Sequence, residues 1–281
     1  WSQQRSFQPT KQLYGTAFPN QKNSANFAVG WEEGQGTEDD ADRALEALEQ
    51  AWSALIEERH WRQPKSSETH LIWVIFNRNL GGTGLTTSYT DSNFPDGYPV
   101  IYLNPDYSDL NDFWASLSAH EFAHAIQYAY RDYRIDGEEP WYWEASAEWQ
   151  SELALPENNA YAYQSIYYAK SPQLRYSSME SAHQYGMVVL NAAIEEHIAG
   201  QGSLKAIWEA SEGQVGTGWD RFIAEAIGLD IQEIFGQFTQ KMLDLDFDDG
   251  EYYYPPIPKG QVQENQPGQL AYLGTDYFRI Q

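Results

Sequence analysis

His120-Glu121-Phe122-Ala123-His124 is the stretch on which the reading of this chain turns. Residues four apart on an α-helix lie one above the other, so the two imidazoles can converge on one ion with the Glu121 carboxylate beside them. The pattern predicts a helix, a bound zinc and a metal-assisted hydrolysis with Glu121 as general base. From Asp109 to Arg131 the chain has no Gly or Pro and opens with acidic residues suited to capping, which predicts a helix over about 110–131. Phe113, Leu117 and Ala125 recur near helical spacing with Trp114, Ile126 and Tyr130 beside them, so this helix is expected to be largely buried. A buried helix seldom carries two histidines and a glutamate without a task for them. The bland alternative is a pair of satisfied core histidines.

A catalytic zinc takes three side chains and leaves a position for water, so a third ligand is needed. Trp141-Tyr142-Trp143-Glu144-Ala145-Ser146-Ala147-Glu148-Trp149 supplies one, after a turn at 136–139 and a proline suited to a first helical turn. Glu144 and Glu148 lie four apart on one face of an aromatic and alanine-rich helix, where two unpaired carboxylates would be costly to bury. Glu144 is therefore expected to bind the metal, and Glu148 to orient the ring of one ligand histidine from behind.

These two helices resemble those of the gluzincin metallopeptidases, the thermolysin-like clan. His124 and Glu144 stand twenty positions apart, as in that clan, and Glu144-Ala145-Ser146-Ala147-Glu148 is similar to its Glu-Ala-x-x-Asp. The longer contexts, His120 to Gln127 and Trp143 to Trp149, are more similar to secreted bacterial metalloproteases than to thermolysin itself. The resemblance covers roughly residues 70–190. It implies a zincin-like fold, a zinc-dependent endopeptidase, a protein or peptide substrate, and a secreted, bacterial protein; the start at Trp1, with no Met and no apolar leader, fits processing. It also implies a Tyr or His downstream of the ligands as oxyanion donor, for which Tyr185 is the first candidate and His183 the second, with Tyr130 and Tyr133 weaker. By the same analogy, Val100, Ile101, Tyr102 and Leu103 are expected to form the edge strand that pairs with substrate.

Composition frames this reading. With 281 residues, 42% of them hydrophobic and 15% aromatic, the chain can bury one large core or two modest ones. A formal charge of −24 opposes nucleic acid and anionic membranes, since phosphate affinity rests on Lys and Arg. No apolar run reaches membrane-spanning length, and a monomer is expected. The absence of Cys leaves the redox compartment open.

The expected fold class is α+β, with a small mixed sheet before the active-site helix and a mainly helical half after it. Residues 1–36 read as a lead-in with one strand near 26–31. Residues 37–249 read as the catalytic domain, with a strand-bearing half at 37–135 and a helical half at 136–249. The tail, 250–281, holds one or two strands near 269–280. Thr37-Glu38-Asp39-Asp40 caps a helix to about 59, strands follow at 70–76, 85–90 and 98–104, and later helices are expected near 157–169, 182–199, 203–211, 217–227 and 230–243. His60, His70 and His197 read as surface or boundary residues.

Two acidic loops, Asp91 to Gly97 and Asp244 to Gly250, raise calcium as a second cofactor. Both place Gly seventh, and their twelfth positions, Tyr102 and Pro255, lack the bidentate glutamate of an EF-hand, so solvated acidic turns are the preferred reading. Two alternatives accompany the peptidase. One is a zinc hydrolase for glycosylated or cell-surface proteins, suggested by 11 Trp and 20 Tyr able to stack on sugars. The other is a binding module that keeps its metal for stability alone.

Overall fold

The computed structural model describes residues 11–15, 17–133, 139–214 and 218–255. Among these, the strands are β1 (Asn20–Asn23), β2 (Phe27–Trp31), β3 (Ile72–Phe76), β4 (Gly84–Tyr89) and β5 (Tyr98–Leu103). They form one mixed sheet in the order β1-β2-β3-β5-β4, with β2, β3 and β5 parallel and both outer strands antiparallel to their neighbours. The central strands read as continuous apolar runs, Ile72-Trp73-Val74-Ile75-Phe76 above all, because a strand covered on both faces has no polar side. β4 returns after β3 through the turn around Gly81 and Gly82 and takes the outer place, leaving β5 inside although it is the last strand in sequence.

Nine helices follow the pattern of the sequence among the described residues: α1 (Glu38–Trp52), α2 (Asn111–Gln127), α3 (Glu139–Ala154), α4 (Ala160–Lys170), α5 (His183–Gly186), α6 (Val188–Ala193), α7 (Ser203–Ala210), α8 (Trp219–Ile227) and α9 (Ile231–Asp244). The predicted capping box opens α1: Asp40 N donates to Thr37 Oγ1 at 3.2 Å, and Thr37 N donates back to Asp40 Oδ2 at 2.9 Å. At α2 the expected acidic cap is missing, since Leu110 is the N-cap and no side chain serves there.

The single helix expected over 182–199 is broken. Ser181 and Ala182 enter the left-handed region (φ 54° and 61°), α5 makes one turn, Met187 interrupts, and a π-helical turn at Ile194–Ile198 closes the run. Gly186 allows this arrangement, because a Cβ there would meet the Tyr168 backbone nitrogen of α4 at 2.3 Å. The lead-in boundary also shifts. Residues 20–31 are two strands of the sheet, and every residue of β2 is buried. One core unites the sheet with the helical half, running from Phe27 and Val29 through Phe122 and Trp143 to Phe238 and Tyr253. Tyr253 thereby binds the start of the tail to the domain; the strands expected near 269–280 lie outside the described residues. No helix is long and apolar enough to cross a membrane among the described residues.

Candidate metal centre

α2 lies between the sheet and α3. Phe122 turns to the core, its ring 5.2 Å from Phe27 and 5.8 Å from Trp52, which fixes the helix rotation and sends His120 and His124 the other way. The two Nε2 atoms stand 3.1 Å apart. Glu144 Oε2, from α3, is 3.2 Å from one and 3.5 Å from the other. Four ligands around zinc at tetrahedral angles, with bonds near 2.0–2.1 Å, would be separated by about 3.3 Å. The donor set and its spacing therefore fit zinc, and His120, His124 and Glu144 form a group able to hold a metal ion among the described residues.

The outward nitrogens of both rings face the groups that would orient metal-binding histidines, although His120 Nδ1 makes no hydrogen bond. Glu148 Oε1 is 3.4 Å from His120 Nδ1, the orienting place expected for it. Gln127 Oε1 is 2.8 Å from His124 Nδ1, while Gln127 Nε2 donates to Trp143 O and Ser146 Oγ at 3.1 Å each. Gln127 thus locks the second ring and ties α2 to α3 at once. Its position one turn beyond His124 was the available signal for this role.

Glu121 is held from β4. Thr86 Oγ1 lies 2.7 Å from Glu121 Oε2 and 2.8 Å from the Glu121 carbonyl oxygen, and a Cβ on Gly84 would lie 2.4 Å from Glu121 Oε1. Sequence reasoning missed both residues, and no local pattern marks them.

The electrostatics follow from this packing. Burial raises the Glu121 pKa, while the two histidines and the Thr86 hydrogen bond lower it, with burial prevailing. Burial works against charge on His120, but Glu148 and Glu144 outweigh it, and the ring pKa rises well above its usual value. His124 rises for the same reason, chiefly through Glu144. Glu144 is held below the usual carboxylate range because His124 and His120 overcome the cost of its burial.

The centre opens on a cavity of about 1080 Å³ lined by the three ligands, Glu121, Glu148, Tyr185 and several other aromatic rings. The Tyr185 ring centroid is 6.3 Å from that of His120. Burial, then Glu144, Glu148 and Glu121, push its phenol well above the ordinary range, so it remains a proton donor. His183, the second candidate, does not reach this space: it is fully buried with its ring 5.9 Å from Tyr168 on α4. The turn through α5 sends residues 183 and 185 to different sides. Tyr133 lines the cavity, whereas Tyr130 is buried against Trp61 and its hydroxyl accepts from Arg62 N.

The expected edge strand is corrected as well. Val100, Ile101, Tyr102 and Leu103 belong to β5, which is hydrogen-bonded on both sides and has no free edge. The outer strand beside α2 is β4. Thr83, Gly84, Leu85, Thr86, Thr87 and Tyr89 all line the cavity, and since successive residues of a strand point to opposite faces, the edge itself must form the wall. His60, His70 and His197 lie apart from this cavity lining, as expected.

No curated protein matches the chain, and no solved structure matches it. Residues 2–279 match the model of a family of unknown function, DUF6055, and the chain belongs to that family.

Proposed function

We propose that this protein is a zinc-dependent endopeptidase with a gluzincin-like centre. The observation that carries the reading is the convergence of His120 Nε2, His124 Nε2 and Glu144 Oε2 beside the Glu121 carboxylate, at the wall of a cavity bounded by β4, the outer strand of the sheet among the described residues. When bound, the metal supplies Lewis acidity toward a substrate carbonyl and toward water. Glu121 would accept a proton from water and return it to the leaving amine, and burial raises its pKa, which favours that exchange. Thr86 restrains one Glu121 oxygen and the bare α-carbon of Gly84 makes room for the other. Tyr185, kept protonated, donates to the oxyanion that develops on the carbonyl. The outer edge of β4, which no described strand covers, would offer backbone groups to an extended peptide and fix its register over the centre.

A second reading keeps the same chemistry and assigns it to glycosylated proteins. Its support now comes from tyrosines: Tyr89, Tyr133 and Tyr163 line the cavity with 51, 38 and 62% exposure, whereas every described tryptophan is at most 7% exposed. Comparing cleavage of one substrate with and without its glycans separates the two.

The test joins metal analysis with hydrolysis of denatured casein. One zinc per chain is expected, with activity lost in Glu121→Gln at unchanged zinc content. A chain that holds no zinc, or an unaffected Glu121→Gln enzyme, would remove the proposal. A zinc-loaded chain that cleaves nothing but melts lower on chelation would instead identify a structural metal.

A further inference from the structure

Hydrogen bonds join distant elements at the second acidic loop and again behind the metal centre. At the loop, Tyr161 Oη donates to Asp249 Oδ2 at 3.0 Å and accepts from Tyr253 Oη at 3.1 Å. Asp249 is thus no solvated turn residue, which corrects the expectation for that loop. Asp91, in the first loop, does form an exposed turn, accepting from Asn93 N at 2.7 Å and Phe94 N at 2.9 Å. Behind the metal centre, α2, α3 and α7 meet at the hydroxyl of Ser146, which is bonded to Gln127 and to Trp208. All three side chains are fully buried.

An indole N–H only donates and a backbone carbonyl only accepts, so the ends of this network set the direction of every bond in it. Trp208 Nε1, on α7, donates to Ser146 Oγ at 3.2 Å. The Ser146 hydrogen is directed at the Tyr142 carbonyl oxygen, 2.5 Å away, so the hydroxyl is left to accept from its other neighbours. Gln127 must therefore turn its NH2 group to Ser146 Oγ and to Trp143 O, each 3.1 Å from its nitrogen. The reverse orientation would set the amide oxygen against the Trp143 carbonyl, acceptor against acceptor. The Gln127 oxygen is then the end that faces His124 Nδ1 at 2.8 Å, and only an N–H at that ring atom satisfies it. A ring whose hydrogen is held at Nδ1 keeps Nε2 for a metal, and Nε2 is the atom beside His120 and Glu144. Trp143 immediately precedes Glu144, so the same amide also holds the backbone that carries the third ligand.

We infer that Ser146, braced by Trp208, is a positioning residue for the metal: through Gln127 it fixes which nitrogen of His124 faces the ion, and it couples α7 to the centre. Without the hydroxyl, one N–H of the buried Gln127 amide has no acceptor, and the amide loses the partner that sets its orientation. A serine that merely joined three helices would behave differently, since its loss would lower stability without reaching the metal. The inference rests on the metal-binding part of the proposed function and is independent of peptide hydrolysis.

Zinc affinity is measured by chelator competition on the full chain for the wild type, Ser146→Ala, Gln127→Ala and the double variant. The visible spectrum of each cobalt-loaded chain records the ligand geometry alongside. Ser146→Ala is expected to weaken zinc about tenfold, as loss of a partner behind a ligand does, and to alter the cobalt spectrum. In the Gln127→Ala background the same substitution should change neither, because its route to the ring is gone. Trp208→Phe keeps the hydroxyl but removes its donor, and should weaken zinc less than Ser146→Ala does. It takes the place of Ser146→Ala should that chain not fold, its effect again vanishing beside Gln127→Ala. Equal zinc affinity and an unchanged spectrum in Ser146→Ala, with only the melting temperature lowered, overturn the inference and leave Ser146 a packing residue. Full additivity of Ser146→Ala and Gln127→Ala overturns it as well. A wild-type chain that binds no zinc removes the metal reading and this inference with it, a result distinct from a zinc-loaded wild type whose Ser146→Ala variant is unaffected.

Discussion

Gly84 and Thr86 are two apart on β4 and therefore share a face, and that face meets the Glu121 carboxylate. Replacing Thr86 by Val removes the hydroxyl that donates to the Glu121 carboxylate while keeping the shape. Peptide hydrolysis is expected to fall about 10–100-fold with zinc content unchanged, and Thr86→Ser should restore most of it. Gln127→Ala acts on the metal instead: His124 loses its fixed orientation, and zinc affinity measured by competition with a chelator should drop about 10–100-fold. These residues also show the reach of a sequence. His120, Glu121, His124, Glu144 and Glu148 were legible because helical geometry joins residues four apart, and the link between the two helices rested on a known spacing. Thr86 lies 35 positions before Glu121. Sheet-on-helix packing alone brings them together, so no local pattern records it.

Among the elements, α5 shows most plainly how backbone packing sets a functional side chain. Its single turn is pressed on α4 at Gly186, and Tyr185 is carried by that turn. Gly186→Ala should force the two backbones apart, costing about 1–3 kcal/mol in denaturant unfolding, as overpacking does. On the proposed peptidase reading it should also lower kcat more than KM, with the metal retained, because Tyr185 would move away from the substrate carbonyl. Periodicity revealed nearly all strands and helices to within a few residues. It missed β1, whose Asn-Gln-Lys-Asn has no apolar alternation, and it could not reveal sheet order. That β4 rather than β5 holds the edge depends on where a returning strand docks, a tertiary choice. The interruption at Met187 likewise had no Pro to announce it.

For the molecule as a whole, stability should respond to acid through His183. Burial pushes its pKa down to about 4 from an ordinary 6.5, with partial opposition from the Tyr167 backbone. The folded state therefore resists protonation that the unfolded chain accepts. Its contribution is complete above about pH 6.5 and is lost as pH falls through about 4. Urea midpoints measured from pH 7 to 4 should fall, and a folded His183→Gln variant should show a shallower decline by the share of one proton.

The edge of β4, outermost among the described strands, has a consequence for which molecules can come near the centre. Free strand edges usually invite another folded sheet to pair and aggregate. Here the edge forms the wall of a cavity between α2 and the rings of α4 rather than a rim in open solvent. A neighbouring globule cannot bring its own sheet to such an edge, whereas a single unstructured chain can be threaded along it. On the proposed peptidase reading, the fold itself would select for the folding state of a substrate, admitting loosened polypeptide and sparing intact domains, this protein's own copies among them.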